Sequence, residues 1–365
     1  MNTIITVLAG LYAAILLFFW LGNIFSKNNS KTKVKNKFSV IIAARNEANN
    51  LPHLLLKLKE QSYPTEDFEI IVANDRSTDD TAKILENWQN KLTNLKIVTV
   101  QKNDEHLVGK KKALQTAIEV AKYNIFAFTD ADCLPGSHWL QELNRAFDEK
   151  TDLVAGYSPL LGKQNLVYKL KNLERAAIFA VTAGSFFWNW GITCTGRNLA
   201  YRRDIFQKSG GFRGIGKIRS GDDDLMLLKM RKYIRKMRFM FASAATVPAK
   251  DNTSSQAQIN LETRRASKFQ YYPADIKLLA LLVFIFYLGL SVSFILLLLG
   301  NFSLKLFFLL LILKIIPEFM LISTFLIKIG RLKLISLFPL AELLYLPYFI
   351  FFALKGTWGK YRWKN

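Results

Sequence analysis

The stretch "FAFTDADCLP", Phe126 to Pro135, ends an apolar run in two carboxylates one residue apart. Like charges this close repel, so neither stabilises the chain by itself. The pattern becomes useful if a cation sits between them. One carboxylate could coordinate a hard divalent ion that also binds phosphates. The other could accept hydrogen bonds from a sugar hydroxyl. Such an ion would neutralise a diphosphate leaving group, which is Lewis-acid catalysis. The plainer reading is a turn that caps a helix near Trp139.

Two further stretches carry chemistry. In "SGDDDLMLLKM", Asp222, Asp223 and Asp224 stand side by side before an apolar helical run. They could be an acidic helix N-terminus, which the helix dipole favours. They could also supply a general base, since a carboxylate crowded by like charges has its pKa raised. In "TGRNLAYRR", Gly196 permits close backbone approach, and Arg197 and Asn198 supply donors; a basic surface turn is the alternative.

These residues need elements to position them. "FSVIIAA" (Phe38 to Ala44), "FEIIVA" (Phe68 to Ala73), "LKIVTV" (Leu95 to Val100) and "IFAFT" (Ile125 to Thr129) are short, largely apolar runs. They read as strands buried on both faces. Between them lie amphipathic helices. Leu51, Leu54, Leu55 and Leu58 share one face behind Pro52, which suits a first turn. Ser77 or Thr78 is expected to cap a helix that opens with Asp79 and Asp80. Lys110 to Ala121 turns Ala113, Leu114, Ala117 and Ile118 inward. Alternating strands and helices predict an α/β domain with a mostly parallel sheet. Ligands then bind beyond the carboxyl ends of the strands. Polar groups gather there: Arg45 and Glu47 after the first strand, Asp75 after the second, Asp130 and Asp132 after the fourth.

The chain has 365 residues, of which 51% are hydrophobic, and a net charge of +22. The charge suits an anionic membrane surface or polyanionic ligands. Nucleic acid is not expected as a partner, because the basic residues flank apolar runs and form no single stripe. Cys133 and Cys194 have no zinc-type spacing, suit a reducing compartment and read as small buried residues. Ile4 to Phe25 is uncharged and meets the roughly 20 residues needed to cross a bilayer. It reads as a retained anchor. The lysines that follow it place the middle of the chain in the cytoplasm. Leu278 to Leu304, Leu306 to Ile327 and Leu334 to Leu354 form a C-terminal membrane cluster. Lys314 and Glu318 fall four apart on one helix face and could pair. Both flanks of Leu334 to Leu354 are basic, so this segment is expected to re-enter as two short helices broken at Pro339 and Pro347. An ordinary fourth span is the alternative. In "AAIFAVTAGSFFWNWGIT", Trp188 and Trp190 suit a membrane interface that guides a lipid, or else a buried core helix.

In order, "SVIIAARNEANNL", "NDRSTDDT", "GKKKAL", "TDADCLP", "TGRNLAYRR" and "SGDDDLMLLK" resemble a membrane-bound family 2 glycosyltransferase of the GT-A fold. The resemblance covers about residues 38 to 230. It implies a Rossmann-like, mostly parallel catalytic domain between N- and C-terminal transmembrane helices. It implies that Ala43, Arg45, Glu47 and Asp75 line the nucleotide pocket and that Lys110 lies near the nucleotide base. Asp130 would meet ribose or sugar, and Asp132 would hold Mg²⁺ or Mn²⁺ with the diphosphate. Asp223 would be the catalytic base, supported by Asp222, with Gly196, Arg197 and Asn198 on the acceptor side. His53, His106 and His138 do not supply a third metal ligand.

Two departures refine this. Asn74 stands where many members have an acid. Members also close the site with Gln-x-x-Arg-Trp, where this chain has Leu261, Arg264 and Arg265. Arg264 could still bind the diphosphate. The lost Trp argues against a processive polysaccharide synthase. The expectation is one transfer from a nucleotide-sugar, a UDP-sugar first, to a lipid or lipid-linked acceptor. A non-catalytic membrane-anchored binding protein is the reading from another class. The expected domains are an anchor at 1–26, a cytoplasmic catalytic domain at 37–270 divided near 135, membrane helices at 276–354 and a basic tail.

Overall fold

The computed structural model describes residues 2–27, 34–101, 105–250 and 268–358. In chain order its elements are α1 (Asn2–Phe25), β1 (Phe38–Ala44), α2 (Leu51–Lys59), β2 (Phe68–Asn74), α3 (Thr81–Gln89), β3 (Leu95–Thr99), α4 (Lys110–Glu119) and β4 (Ile125–Phe128). Then come α5 (Trp139–Ala146), β5 (Leu153–Gly156), β6 (Leu160–Leu161), α6 (Leu166–Phe187), β7 (Leu199–Arg202), α7 (Arg203–Lys208), α8 (Asp224–Met230), β8 (Met237–Met240) and β9 (Ala249–Lys250). Three long helices follow: α9 (Ala274–Leu298), α10 (Leu304–Lys328) and α11 (Phe338–Trp358).

The main sheet runs β3-β2-β1-β4-β7-β5-β8, and β6 pairs with β9 in a second, small sheet. β1 is parallel to both β2 and β4, and in register Ala44 stands beside Asn74. The first four strands therefore end on one rim, as the run of apolar segments predicts. β7 is antiparallel to β4 and β5, so it brings the "TGRN" loop to that same rim. Val40, Ile42, Ile70, Val72 and Ala127 are fully buried, with Leu51, Leu54, Leu55 and Leu58 of α2 packed into the same core. Pro52 lies in the first turn of α2, where its missing N–H costs nothing.

The chain divides into two compact units. One comprises the described residues of Met1–Phe25, Gln164–Gly184 and Asn252–Asn365; the other comprises those of Ser26–Lys163 and Ser185–Asp251. In the helical unit, Tyr12 stacks on Phe286 with ring centroids 4.6 Å apart. The expected pair forms there, with Lys314 Nζ 3.0 Å from Glu318 Oε2. Four segments are long and apolar enough to cross a membrane: Asn2–Phe25, Ala274–Leu298, Leu304–Lys328 and Leu332–Phe352.

Two expectations are corrected. The last apolar segment divides near Pro339, into a short 3-10 helix at Leu332–Leu337 and α11, but it is not broken at Pro347, which sits inside α11. Neither Ser77 nor Thr78 caps α3; that helix starts at Thr81 behind Asp80. Their side chains serve the rim instead.

Candidate active site

The rim is built in the sheet-containing unit from loops that fix one another. The Asn46 N–H donates to Ser77 Oγ (3.0 Å), and Asn46 Oδ1 accepts from the Thr78 N–H (2.8 Å). The Glu47 N–H donates to Thr81 Oγ1 (2.9 Å), and the Ala48 N–H to Asp79 Oδ2 (3.1 Å). The loops after β1 and β2 are thus laced together. Asn74 Oδ1 accepts from the Ser77 N–H at 3.2 Å. Arg76 adopts φ +53°, a costly conformation for a branched-free but bulky residue. Its guanidinium lies 2.8 Å from Asp75 Oδ1, which helps hold it. Asp75 is buried at the tip of β2, and the exposed Arg45 follows Ala44, which stands in register with Asn74. Ala43 is half-buried in the last turn of the strand, and Glu47 Oε2 accepts from Asn50 Nδ2 at 2.7 Å.

Next to this pocket stands a cluster of opposed charges. Lys110 Nζ is 2.5 Å from Asp130 Oδ1 and 3.0 Å from Asp222 Oδ2. Arg197 reaches Asp130 Oδ2 (3.5 Å) and Asp132 Oδ2 (3.4 Å). The repulsion between the two aspartates of the DxD stretch is therefore offset by the protein's own cations. Asp223 is tied to backbone, since Oδ2 accepts from the Gly196 N–H (3.1 Å) and Oδ1 from the Asp224 N–H (2.7 Å). Gly196 faces the cluster, because a Cβ there would stand 3.6 Å from Lys110 Nζ and 3.7 Å from Asp222 Oδ2.

Burial shapes the protonation of these groups. Burial raises the pKa of Asp132, and Asp130 adds to this against the pull of Arg197. Burial alone would also raise Asp222, but the charge and hydrogen bond of Lys110 overcome it and take Asp222 down to about 2. The expectation that crowding raises this carboxylate is corrected: a cation from α4, 112 positions away in the chain, decides the sign. Lys110 and Arg197 are both held above their ordinary values, the carboxylates outweighing burial. Burial pushes the Cys133 thiol up, helped by Asp130 and Asp132, so it stays protonated and donates to Asp132 Oδ1 (3.6 Å). Cys194 is only half-buried.

Lys110, expected near the nucleotide base, bridges Asp130 and Asp222. One placement differs from that implied by the sequence. Asn198 is not an acceptor-side donor. It is fully buried, donating to Tyr157 O (3.1 Å) and Ala245 O (2.8 Å) and accepting from Trp139 Nε1 (3.0 Å). A Cβ at Gly156 would meet Asn198 Nδ2 at 2.4 Å. Gly156→Ala is therefore expected to cost about 1–3 kcal/mol, the range for overpacking. A thermal melt that matched the parent would contradict this packing.

Sequence reasoning missed Lys111. Its ammonium is buried and donates to Ile218 O (2.5 Å) and Ser220 O (2.6 Å), fixing the segment that leads into Asp222. The only signal was its place as the middle of three consecutive lysines at the start of an amphipathic helix. Leu261, Arg264 and Arg265 lie outside the described residues.

A divalent ion fits this site in one way. Among the described residues no group of three or more His, Cys, Asp or Glu side chains gathers as a ligand cage. The cluster instead sets four carboxylates (Asp130, Asp132, Asp222, Asp223) against two cations (Lys110, Arg197), a formal surplus of two negative charges. Mg²⁺-type ions bind in this manner, through one or two carboxylates with substrate phosphates completing the shell.

With the geometry in place, the comparisons decide the family. Residues 39–210 match the model of Glycosyl transferase family 2. Residues 39–210 are a family 2 glycosyltransferase domain. The Bacillus subtilis (strain 168) protein named "Probable glycosyltransferase YdaM" is 30% identical over 181 residues, 48% of this chain and 43% of that protein. The 4,4'-diaponeurosporenoate glycosyltransferase of Staphylococcus aureus is 33% identical over 114 residues, 30% of this chain and 28% of that one. The chain thus aligns with less than half the length of these relatives. The mannosyltransferase PcManGT of Pyrobaculum calidifontis, solved with GDP-Man and Mn²⁺, is 17% identical. It superposes with a TM-score of 0.56 over 99% of this chain and 100% of its own, so the glycosyltransferase domain and its flanking helices share that fold.

Proposed function

We propose that the chain is a membrane-anchored, inverting glycosyltransferase. It moves a sugar from a nucleoside-diphosphate sugar, UDP-sugars first, to a lipid or lipid-linked acceptor at the cytoplasmic face. The observation that carries this reading is the rim cluster. Its two surplus negative charges match one divalent cation, and its two cations can turn to a diphosphate. The ends of α1 and α10 lie together, since Lys328 Nζ donates to the Asn23 and Ile24 carbonyls. Lys27, Lys328, Arg331 and Lys333 thus gather at one end, which the positive-inside rule assigns to the cytoplasm.

In this reading Asp75, with Ala43, Arg45 and Glu47 nearby, receives the nucleoside. Asp130 receives ribose or sugar, and Asp132 holds Mg²⁺ or Mn²⁺. That ion, when bound, supplies Lewis-acid stabilisation of the leaving diphosphate. Lys110 and Arg197 shift from carboxylates to donor phosphates. As Lys110 leaves, Asp222 regains basicity and takes the proton of the acceptor hydroxyl. The acceptor oxygen bonds to the anomeric carbon as the carbon–phosphate oxygen bond breaks, and the electron pair departs on the diphosphate. Asp223, which the family resemblance makes the base, has each oxygen on a backbone N–H, and in this reading it holds the base segment while Asp222 takes the proton. The catalytic domain lies within about residues 37–270, of which residues 164–184 group with the helical unit.

Purified protein in detergent, with Mn²⁺, radiolabelled nucleotide sugars and total lipid extract, tests this. Label should enter the organic phase and disappear in Asp132→Ala and Asp222→Asn. Nucleotide binding without transfer would favour the non-catalytic reading, and label in long soluble polymer would favour a synthase. Phe187 and Trp188 are partly exposed and pack edge to face at 4.9 Å. Replacing Trp188 and Trp190 by alanine should lower lipid-acceptor use about tenfold, the loss of roughly 1.4 kcal/mol of interfacial contact, and spare donor hydrolysis. Equal loss of both would count against a lipid-guiding role.

A further inference from the structure

The helical unit encloses a cavity of about 650 Å³, within the size range of small-molecule sites. Its walls come from α1, α6, α9, α10 and α11. Side-chain contacts set the level of each helix. Tyr12 meets Tyr287 and Glu318, Trp20 meets Thr324, and Lys328 meets the last turn of α1. α1 and α10 therefore run in the same direction, side by side. The lining residues of α1, from Tyr12 to Phe19, and of α10, from Glu318 to Ile322, fall between the middle of these helices and the end at Phe25 and Lys328. The cavity occupies that half alone. Thirteen residues separate Tyr12 from Phe25, a rise of about 20 Å against a half-bilayer of about 15 Å.

Its inner end is closed by polar groups. Glu318 Oε1 accepts from Tyr12 (2.5 Å) and Tyr287 (3.1 Å), while Lys314 donates to Glu318 Oε2 (3.0 Å) and to Glu342. These bonds satisfy the knot internally and make it a floor. At the other end α6 crosses α1 closely. A Cβ on Gly184 would meet Phe19 O at 2.3 Å, and Asn23 Nδ2 donates to Ala180 O at 2.9 Å. α6 contributes the charged Lys171 and Glu174 to the lining. Between floor and α6 the walls are aliphatic and aromatic.

We infer that this cavity is the seat of one hydrocarbon chain of the acceptor lipid, entering from the cytoplasmic leaflet and stopped at the Tyr12–Glu318–Lys314 floor. The inference rests on the membrane and acceptor reading above. It adds where the chain sits and what limits its length. Apolar walls with charge only at the two ends match a chain whose polar head stays near α6. Ionisable groups inside a membrane helix cluster are costly and tend to be functional. Here they form a boundary.

The test uses the full chain in phosphatidylglycerol nanodiscs carrying trace lipid with a mid-chain diazirine. After irradiation, mass spectrometry maps the adducts. Adducts should fall on Leu16, Val283 and Tyr345, drop at least fivefold in Ala177→Trp with Val283→Phe, and be displaced by total lipid extract but not by added phosphatidylglycerol. Leu16→Trp, from the opposite wall, serves if the double variant fails to fold. The filled variants should also raise the KM for lipid acceptor at least tenfold. Adducts spread equally over outward residues such as Leu11 and Leu288, or unaffected by filling, would overturn the inference. So would displacement by phosphatidylglycerol alone, which would mean bulk lipid. Mapped cavity adducts in a protein that transfers nothing would sink the transferase reading and leave the cavity standing. Transfer without cavity adducts would do the reverse.

Discussion

Asp132→Ala abolishes transfer without weakening the protein. The expected fall in initial rate is about 10²–10³-fold or more, the size of effect seen when a group that stabilises developing charge is removed. Stability should hold or rise, because the wild-type carboxylate is buried beside Asp130 and is costly to ionise there. Its removal leaves Arg197 with Asp130, which it already contacts. The measurement pairs label transfer to lipid with a thermal melt of the same preparation. Activity within twofold of the parent would remove Asp132 from the metal site. Asp222→Asn and Asp223→Asn then separate the two neighbours. The first should match Asp132→Ala in rate. The second should retain more activity, since an amide oxygen can still accept from a backbone N–H. The reverse order would return the role of base to Asp223.

Lys110→Met destabilises the fold by about 3 kcal/mol, because removing one partner leaves carboxylates uncompensated in a largely buried site. The loss depends on pH in a defined direction. In the parent, Asp222 is held at about 2, below its unfolded value of about 3.9. That contribution is complete above the unfolded value and is lost as pH falls towards 2. In the variant the lowering by Lys110 is gone and only Lys111 and a backbone hydrogen bond still oppose burial, so the native-state value of Asp222 rises and less of this contribution is left to lose as pH falls. The difference in melting temperature between parent and variant therefore narrows as pH is lowered from neutral. A difference that stayed constant would mean that Lys110 and Asp222 are not coupled. Transfer should fall as well, since Lys110 turns to the donor phosphates in the proposed reaction.

Much of the sheet could be read from local runs. β1 matches "FSVIIAA" residue for residue, because a strand buried on both faces is largely apolar, and its one polar residue, Ser39, donates to Glu69 Oε1 at 2.6 Å. The carboxylates at the rim were visible because polar residues interrupt those runs at strand ends. What could not be read depends on partners distant in sequence. β7 is only "LAYR", and nothing in four residues specifies that it inserts antiparallel between β4 and β5. Lys110 carries no local mark of its link to Asp222. Asn198 looked like a surface donor because its three partners come from α5 and from loops before and after it. Residues 164–175 gave no sign that they group with the long apolar helices, since "LVYKLKNLER" has the charge of an ordinary surface helix, whereas the stretch from Ala176 on already suited a membrane interface.

The lacing of the loops after β1 and β2 bears on how a nucleotide would arrive. Asn46, Ser77, Thr78, Asp79 and Thr81 already satisfy one another's polar groups with no ligand present. Little backbone remains to be ordered on binding, so the usual entropic cost of closing a loop is absent. Donor association should then approach the rate of a rigid encounter, and its heat-capacity change should reflect only the nucleotide surface covered.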